Sequence, residues 1–292
     1  MQNYAQIFLD SFPGYLNYLK EEVLLTYKYK PWYENYFYWL FGISILFWTL
    51  EIIIPWRKAQ AIFRRDFWLD FFYMFFNFFI LSLIGYAAVS NVFVAAFNDF
   101  LAVFGIQNGI SIEVAALPAW AKLLFAFVLK DFMQWNVHRM LHRVPWLWEF
   151  HKVHHSVKEM GFAAHLRFHW MEKVVYAIVL YIPMAMLGFG IEEVFAAHII
   201  ALIIGHFNHS NLYVNLGPLK YIINNPQMHI WHHAKQIPHK QGVNYGLSLS
   251  IWDYLFGTAY VPGSGRDIEL GFEGDENFPE SFVKQEIHPF KK

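Results

Sequence analysis

The chain has 292 residues, of which 57% are hydrophobic, 21% are aromatic and only 15% are charged, and its net charge is −1. Soluble domains are about one-quarter charged, so this composition indicates a membrane protein rather than an ordinary globular domain. The near-neutral charge excludes a strong attraction to nucleic acid. The absence of cysteine excludes disulfides, thiolate-bound zinc and cysteine-ligated iron–sulfur clusters.

Residues 1–34 form an N-terminal segment that lacks the basic start and cleavable apolar core of a signal peptide. Between Pro13 and Tyr29, apolar and charged residues alternate in a way that is typical of a short interfacial helix or of an ordinary amphipathic surface helix. Residues 35–116 follow as a transmembrane region. Its first predicted span runs from Asn35 to Pro55, and its second lies in the uncharged run from Phe71 to Asn98.

Residues 117–262 combine further apolar segments with most of the polar chemistry. The stretch from Leu117 to Val137 predicts a third span, although charged residues interrupt it, and residues 174–204 predict a transmembrane hairpin. Residues 263–292 are more polar and are predicted to form a cytoplasmic tail, which either packs over the functional site or remains free. We therefore expect an all-α, multi-span membrane bundle of about four to five spans.

Loop charges predict how the bundle is oriented. Arg57, Lys58, Arg64 and Arg65 lie between the first two spans, and the positive-inside rule places this loop in the cytoplasm. The loop at residues 99–116 carries no Lys or Arg and fits the opposite side. The later spans then bring all histidine-rich segments back to the cytoplasmic side, where they would form a helical cap.

The histidines are unevenly distributed, because the chain has 15 and none precedes His138. Three short motifs, HRMLH, HKVHH and HIWHH, concentrate them, and we call these the three histidine boxes. A helix brings residues three and four apart onto one face, so each box presents its imidazoles together. The boxes contain His138 and His142; His151, His154 and His155; and His229, His232 and His233.

A further imidazole follows the predicted hairpin, supplied by His209 or by His206 on the same helical face. Nine imidazoles suit two metal ions better than one tetrahedral zinc ion, which needs only four ligands. Imidazole binds zinc, copper, iron and nickel alike, so the ligands alone do not select the metal.

The order HxxxH, HxxHH, HxxHH on an apolar chain resembles the fatty acid hydroxylase / sterol desaturase superfamily of integral-membrane di-iron enzymes. The resemblance covers about residues 120–262. Trp170 stands where the family usually has proline, a difference that affects a turn rather than the metal ligands. The similar flanking segments are DFMQWNVHR from Asp131, LWEFHKVHH from Leu147, RFHWME from Arg167, NYG from Asn244 and WDYLFGT from Trp252.

The resemblance implies a di-iron catalytic domain over residues 117–262 that hydroxylates an unactivated C–H bond of a lipid with O₂. The lipid could be a fatty acyl chain, a sterol, an ether lipid or an isoprenoid. No haem, flavin or iron–sulfur segment is visible, so a separate electron-transfer protein is expected. The implied ligands of the two iron ions are His138, His142, His151, His154, His155, His209, His229, His232 and His233.

Two alternatives remain open at this stage. A lipid or sterol desaturase would use the same ligands, so only its product would distinguish it. A membrane protein for metal transport or storage is the alternative from another class. Transporters place their ligands near the middle of the bilayer, whereas the histidine boxes follow the ends of predicted spans.

Four residues outside the boxes are candidates for a catalytic or supporting role. Asp131 lies seven residues before His138 and shares its helix face, so its carboxylate could orient that imidazole through the second ring nitrogen. It could instead pair with Lys130 or Arg139 at the interface. The remaining three could form one cluster at the edge of the site or a salt-bridge group at a helix start. The four candidates are Asp131, Arg167, His169 and Glu172.

Overall fold

The computed structural model describes residues 3–21, 23, 28, 31–79, 90–105, 114, 117–181, 184, 187, 189, 191–239 and 241–291. These residues form helices and turns, with isolated β-bridges but no strand, so the all-α prediction is confirmed for them. The α-helices are α1 (Tyr4–Lys20), α2 (Tyr36–Ile53), α3 (Phe67–Phe76), α4 (Ser90–Val103), α5 (Ala119–Arg143), α6 (Pro145–His155), α7 (Trp170–Tyr176), α8 (Ile191–His209), α9 (Pro226–His232), α10 (Ile251–Leu255) and α11 (Phe282–Ile287).

The N-terminal helix differs in position from the predicted interfacial helix. It begins at Tyr4, ahead of the predicted start, and includes Pro13. The Tyr4 hydroxyl donates a hydrogen bond of 2.7 Å to Asp99 of α4, which ties the first turn to another helix. Several residues of the predicted range, 22, 24–27 and 29, lie outside the described residues.

Helix α2 corresponds to the first predicted span. Among the described residues it is the helix that is both long enough and apolar enough to cross a membrane. The Asn35 side chain caps its start by accepting a hydrogen bond of 3.1 Å from the backbone nitrogen of Tyr38. Phe41, Ile45 and Leu46 on one face remain exposed, which fits a helix bordered by lipid.

The other predicted spans are only partly seen. Helix α3 ends at Phe76 and α4 begins at Ser90, while residues 80–89 of the second predicted span lie outside the described residues. Helix α5 runs continuously through the third predicted span, and α8 contains residues 194–204. The turn near residue 190 is not described, so the number of spans stays a prediction.

An aromatic-rich core joins α2, α3 and α8. Leu40 and Phe47 of α2 pack with Phe67 and Met74 of α3 and with Leu202 of α8, and all five side chains are buried. A 3₁₀ turn at residues 162–166 packs into the same core. Dispersion contacts of this kind are small individually but large in sum, so the core fixes α8 against the N-terminal helices.

A buried ion network holds the loop between α2 and α3 against the rest of the fold. Asp70 is completely buried and lies 2.5 Å from Arg64 and 3.1 Å from Arg167. Asp66 lies 3.2 Å from the same Arg167 guanidinium. Arg57 donates a hydrogen bond of 2.8 Å to the carbonyl of Met160. Residues 54–66 therefore pack against the segment after α6.

The C-terminal segment packs onto the helices. Phe272 and Phe278 are buried against Tyr73 of α3 and Val153 of α6. Asp275 forms ion pairs with Lys158 and with Lys235, which follow the second and third histidine boxes. The predicted tail is thus a packed part of the structure.

Replacing Asp70 with Ala should destabilise the protein strongly, because two buried arginines would lose their shared carboxylate. Removing one partner of a buried ion network typically costs about 3–5 kcal/mol. The matched control is Glu280→Ala, which breaks an exposed pair with Arg65 and should change stability little. Thermal unfolding in detergent measures both, and equal melting temperatures for the two variants would contradict the role of the network.

Candidate metal centre

Four helices bring nine imidazoles to one buried region, where they form two groups. Within each group the ligand nitrogens lie within 4.8 Å of one another. The first group contains His138, His142, His151, His155 and His232, and the second contains His154, His209, His229 and His233.

The spacing of the boxes explains how two groups arise from three motifs. In α6, His151 and His155 are one helical turn apart and face the first group, whereas His154 faces the second. The third box contributes one imidazole, His232, to the first group and two, His229 and His233, to the second. Helix α9 is set by an Asn225 cap and by Pro226 at its first position.

The Nε2 atoms of neighbouring imidazoles approach one another closely. Four such distances lie near 3 Å, and each joins two rings that come from different turns or different helices. They are 3.1 Å for His138 and His151, 3.3 Å for His154 and His209, 2.9 Å for His209 and His229, and 3.2 Å for His229 and His233.

The opposite ring nitrogen, Nδ1, is held by an acceptor in five of the nine imidazoles. Four of these acceptors are backbone carbonyls, which cannot donate, so Nδ1 carries the proton and Nε2 keeps its lone pair. The five contacts are His138 with the Tyr245 carbonyl (2.7 Å), His151 with Glu172 (2.8 Å), His154 with the Arg167 carbonyl (3.0 Å), His209 with the Gly205 carbonyl (2.8 Å) and His232 with the Val243 carbonyl (2.7 Å).

These tautomers test whether the residues fit a metal. His154 and His209 both direct Nε2 lone pairs at each other, and lone pairs at this distance repel unless a cation binds both. In addition, the Nε2 atoms of His142, His155 and His232 are buried without a hydrogen-bond partner among the described residues. Orphaned buried nitrogens are rare in folded proteins. Each group therefore has the donors that one metal ion needs.

Burial also sets the charge of the imidazoles. Removal from water lowers the pKa of His154 to about 3 and lowers the pKa values of His155, His232 and His233 well below the usual value. These side chains are therefore neutral near pH 7, which is the form that binds metal.

A short loop after the third box supplies two of the acceptors, the carbonyls of Val243 and Tyr245. Between them, Asn244 adopts a left-handed conformation with φ of 53° and is completely buried. Its side-chain amide donates hydrogen bonds of 2.9 Å to the Met228 carbonyl and 2.7 Å to the Tyr260 carbonyl. Asn244 thus fixes the loop to α9 and to the chain after α10.

The structure corrects the role expected for Asp131. The Nδ1 of His138 is held by the Tyr245 carbonyl, and the Asp131 carboxylate instead supports the loop that follows. Asp131 accepts hydrogen bonds from the backbone nitrogens of Ser248 (3.0 Å) and Leu249 (3.2 Å) and from the Trp252 indole (2.9 Å). Asp253 supports the same loop by accepting hydrogen bonds from the backbone nitrogens of Tyr245 (2.9 Å) and Gly246 (2.7 Å).

The expected cluster of Arg167, His169 and Glu172 does not form as one unit. The carboxylate of Glu172 contacts the His151 ring directly. Arg167 reaches the site only through its backbone carbonyl, because its guanidinium lies in the ion network with Asp70.

Two other buried histidines, His169 and His206, lie outside both groups. His169 contacts the carbonyl of Glu286 in α11 at 2.9 Å. The rings of His206 and His165 lie 2.9 Å apart at their Nδ1 atoms, and Ser44 lies 3.1 Å from the other nitrogen of His206. His209, rather than its alternative His206, therefore joins the second group.

Sequence reasoning missed the acceptors that orient the rings, because backbone carbonyls leave no residue-type signal. The NYG segment was a signal for two of these acceptors, the carbonyls of Val243 and Tyr245, because its Asn244 adopts the left-handed backbone conformation that shapes this loop. Gly205, the acceptor for His209, has another constraint: a Cβ there would lie 2.2 Å from the His165 ring. Only glycine fits at this position without a shift of that ring.

A cavity of about 140 Å³ lies against the imidazoles. Five of the nine imidazoles line it, those of His138, His151, His154, His209 and His229. Its remaining wall is mainly apolar, and it includes Leu166, Phe168, Leu180, Ala201 and Leu202. A cavity with apolar walls and convergent polar groups is the usual form of a small-molecule site.

Comparisons with known proteins agree with this geometry. The family model of the fatty acid hydroxylases matches residues 123–258, which include all nine imidazoles. An ornithine lipid hydroxylase of Rhizobium tropici is 30% identical over 175 residues, which cover 60% of this chain and 52% of that protein. No solved structure matches the chain significantly.

Two vertebrate relatives are alkylglycerol monooxygenases. The protein of Xenopus tropicalis is 38% identical over 138 residues, 47% of this chain and 30% of that protein. The human protein is 34% identical over 134 residues, 46% of this chain and 29% of that protein. The chain thus spans about half the length of the ornithine lipid hydroxylase and about three tenths of the monooxygenases. The family match over residues 123–258 and these relatives thus support the resemblance of the chain to the fatty acid hydroxylase superfamily.

Proposed function

We propose that the chain is a membrane-bound lipid hydroxylase that holds two iron ions in the two groups of imidazoles. The observation that carries this proposal is the pair of neutral, buried imidazole groups beside an apolar cavity. Relatives named as lipid hydroxylase and monooxygenase support it. Iron, when bound, would supply the O₂-dependent oxidation of an unactivated C–H bond, which zinc cannot perform.

The chain's own residues position the substrate and exclude water. Leu166, Phe168 and Leu180 offer apolar contacts to an alkyl chain and no hydrogen-bonding group. Holding one carbon next to the imidazoles converts a random encounter into an oriented one. The same apolar wall keeps bulk water away from the reacting carbon.

Supporting residues hold the ligand rings in the required tautomer. Glu172 accepts the Nδ1 proton of His151 and makes that imidazole a stronger donor. The loop at residues 243–246 does the same for His138 and His232 through its carbonyls. These contacts are in place without movement of the ligands.

The proposal includes a location and a partner. Helix α2 would anchor the chain in the membrane, and Arg57 of the basic loop at residues 54–66 contacts Met160, which follows the second histidine box. Together with the positive-inside rule, this supports a metal centre on the cytoplasmic side. Electrons would come from a separate electron-transfer protein.

The function is tested by lipid analysis of cells that express the protein, compared with cells that express His154→Ala. We expect a lipid that gains the mass of one oxygen atom, derived from labelled O₂, only with the unaltered chain. Loss of two hydrogens instead would identify a desaturase. Metal uptake without any oxygen-dependent lipid product would favour a transporter and contradict the proposal.

Metal analysis tests the two groups separately. The purified protein should hold two ions per chain, with zinc partly replacing iron because it binds nitrogen ligands more tightly. Replacing His233 with Ala removes a ligand of the second group and should lower the content to about one ion. His239→Ala, at an exposed position, is the control and should keep both. Full metal content in His233→Ala would remove this residue from the ligands.

The role of Glu172 is tested with Glu172→Gln, which keeps the shape of the side chain but replaces the carboxyl group with an amide. Loss of such a supporting contact typically costs about 10–100-fold in metal affinity or activity. The control is Glu149→Gln on the same helix as His151, where the carboxylate pairs with Lys152 at 2.6 Å. We expect weaker metal binding only in Glu172→Gln, as measured by competition with a chelator. Equal metal affinities in the two variants would argue against the positioning role.

A further inference from the structure

The cavity beside the metal groups contains two lysines that neither metal binding nor the apolar wall explains. Lys130 of α5 and Lys173 of α7 both line it, together with Gln134 and His198. Lysine rarely lies in an apolar cavity unless its charge is compensated. The two side chains therefore call for a counter-charge.

Lys130 is the more deeply buried of the two, with 3% of its surface exposed. Its ammonium group donates a hydrogen bond of 3.1 Å to the Gln134 amide oxygen, and no described carboxylate lies within ion-pair distance. The oxygens of the adjacent Asp131 are engaged by the loop at residues 248–252. By contrast, Lys122 of the same helix pairs with Glu193 at 3.0 Å.

Lys173 lines the same cavity and adds a second positive charge. Its ammonium lies 5.9 Å from the centre of the Phe168 ring, and it too has no ion pair within the described part of the chain. Nearby, the buried Nδ1 of His198 has no hydrogen-bond partner among the described residues.

Neither lysine forms an ion pair among the described residues, and the two carboxylates nearest to them have other partners. Asp131 accepts from the loop at residues 248–252, and Glu172 contacts His151. Because buried cations without an ion pair are costly, a bound anion would compensate both lysines. We propose that the substrate is a lipid with an anionic group, a carboxylate or a phosphate, which binds between Lys130 and Lys173. Its alkyl chain would lie along the apolar wall toward the imidazoles. This assignment rests on the proposed hydroxylase function for its reaction, but the binding itself does not require turnover.

The positions of the two lysines also restrict which carbon reacts. Lys173 directly follows Glu172, whose carboxylate contacts His151 at 2.8 Å. Lys130 lies eight residues before His138 on one helix, which is about 12 Å along the axis at about 1.5 Å per residue. The anionic group is thus held at a fixed distance from the metal groups. Hydroxylation is therefore expected in one restricted region of the alkyl chain.

Binding of three ligands with the same alkyl chain tests the charge requirement. Palmitate, hexadecyl phosphate and hexadecanol are titrated against the detergent-solubilised, metal-loaded protein, and affinity is measured by native mass spectrometry. An ammonium–anion contact should favour the anionic ligands over the alcohol by about tenfold or more. Whichever of palmitate and hexadecyl phosphate binds more tightly identifies the source of the anionic group.

Variants assign the preference to the two lysines. Lys130→Met and Lys173→Met together should abolish the preference for the anionic ligands, whereas Lys130→Arg, which keeps the charge, should largely retain it. Lys122→Met is the control and should bind as the unaltered chain does. Metal content, which should be unchanged in all variants, shows that the fold is intact.

The outcomes separate this inference from the proposed function. Equal affinity of the unaltered chain for hexadecanol and the anionic ligands would overturn the inference, even if a hydroxylated lipid is found. A preference that persists in the double methionine variant would do the same. A lysine-dependent preference without any oxygenated product would sustain the anion site and contradict the hydroxylase function instead.

Discussion

The structure depends on one electrostatic constraint: nine uncharged imidazoles share a region with almost no water, and several of their lone pairs face each other at about hydrogen-bond distance. Protons on the rings alone do not satisfy the contact between His154 and His209, because the Nδ1 atom of each ring already holds its proton. A bound cation would remove this repulsion. The free energy of metal binding would then be part of the free energy of folding in this region.

The same constraint explains why so many buried polar contacts lie on the far side of the rings. Each ligand helix places its imidazoles approximately, through three- and four-residue spacing. The final orientation comes from acceptors on other segments, such as the carbonyls of Val243 and Tyr245 and the carboxylate of Glu172. Asp131, Asn244 and Asp253 hold those segments in turn, so buried polar groups far from any ligand still act on the rings.

Much of this centre could be predicted from the sequence because histidine is chemically distinctive and its spacing matches the helix period. The residues of the boxes, the all-α fold and the first span followed from such patterns. The helix period correctly places Asp131 on the face of His138, but it does not show that a loop from residue 245 contacts both side chains. The Tyr245 carbonyl holds the His138 ring, and the Asp131 carboxylate accepts from Ser248 of the same loop. Backbone acceptors, and the packing of the C-terminal segment by Phe272 and Phe278, depend on tertiary contacts that local patterns do not encode.

The order in which the ligands occur along the chain has a consequence for biosynthesis. Each metal group takes ligands from both the second and the third box, and the loop that orients His138 and His232 begins only at residue 243. When α2 and the first box leave the ribosome, neither group has its partners. Under the proposed function, metal loading would therefore be a late event, and the nascent chain would carry its early histidines into the membrane as metal-free side chains.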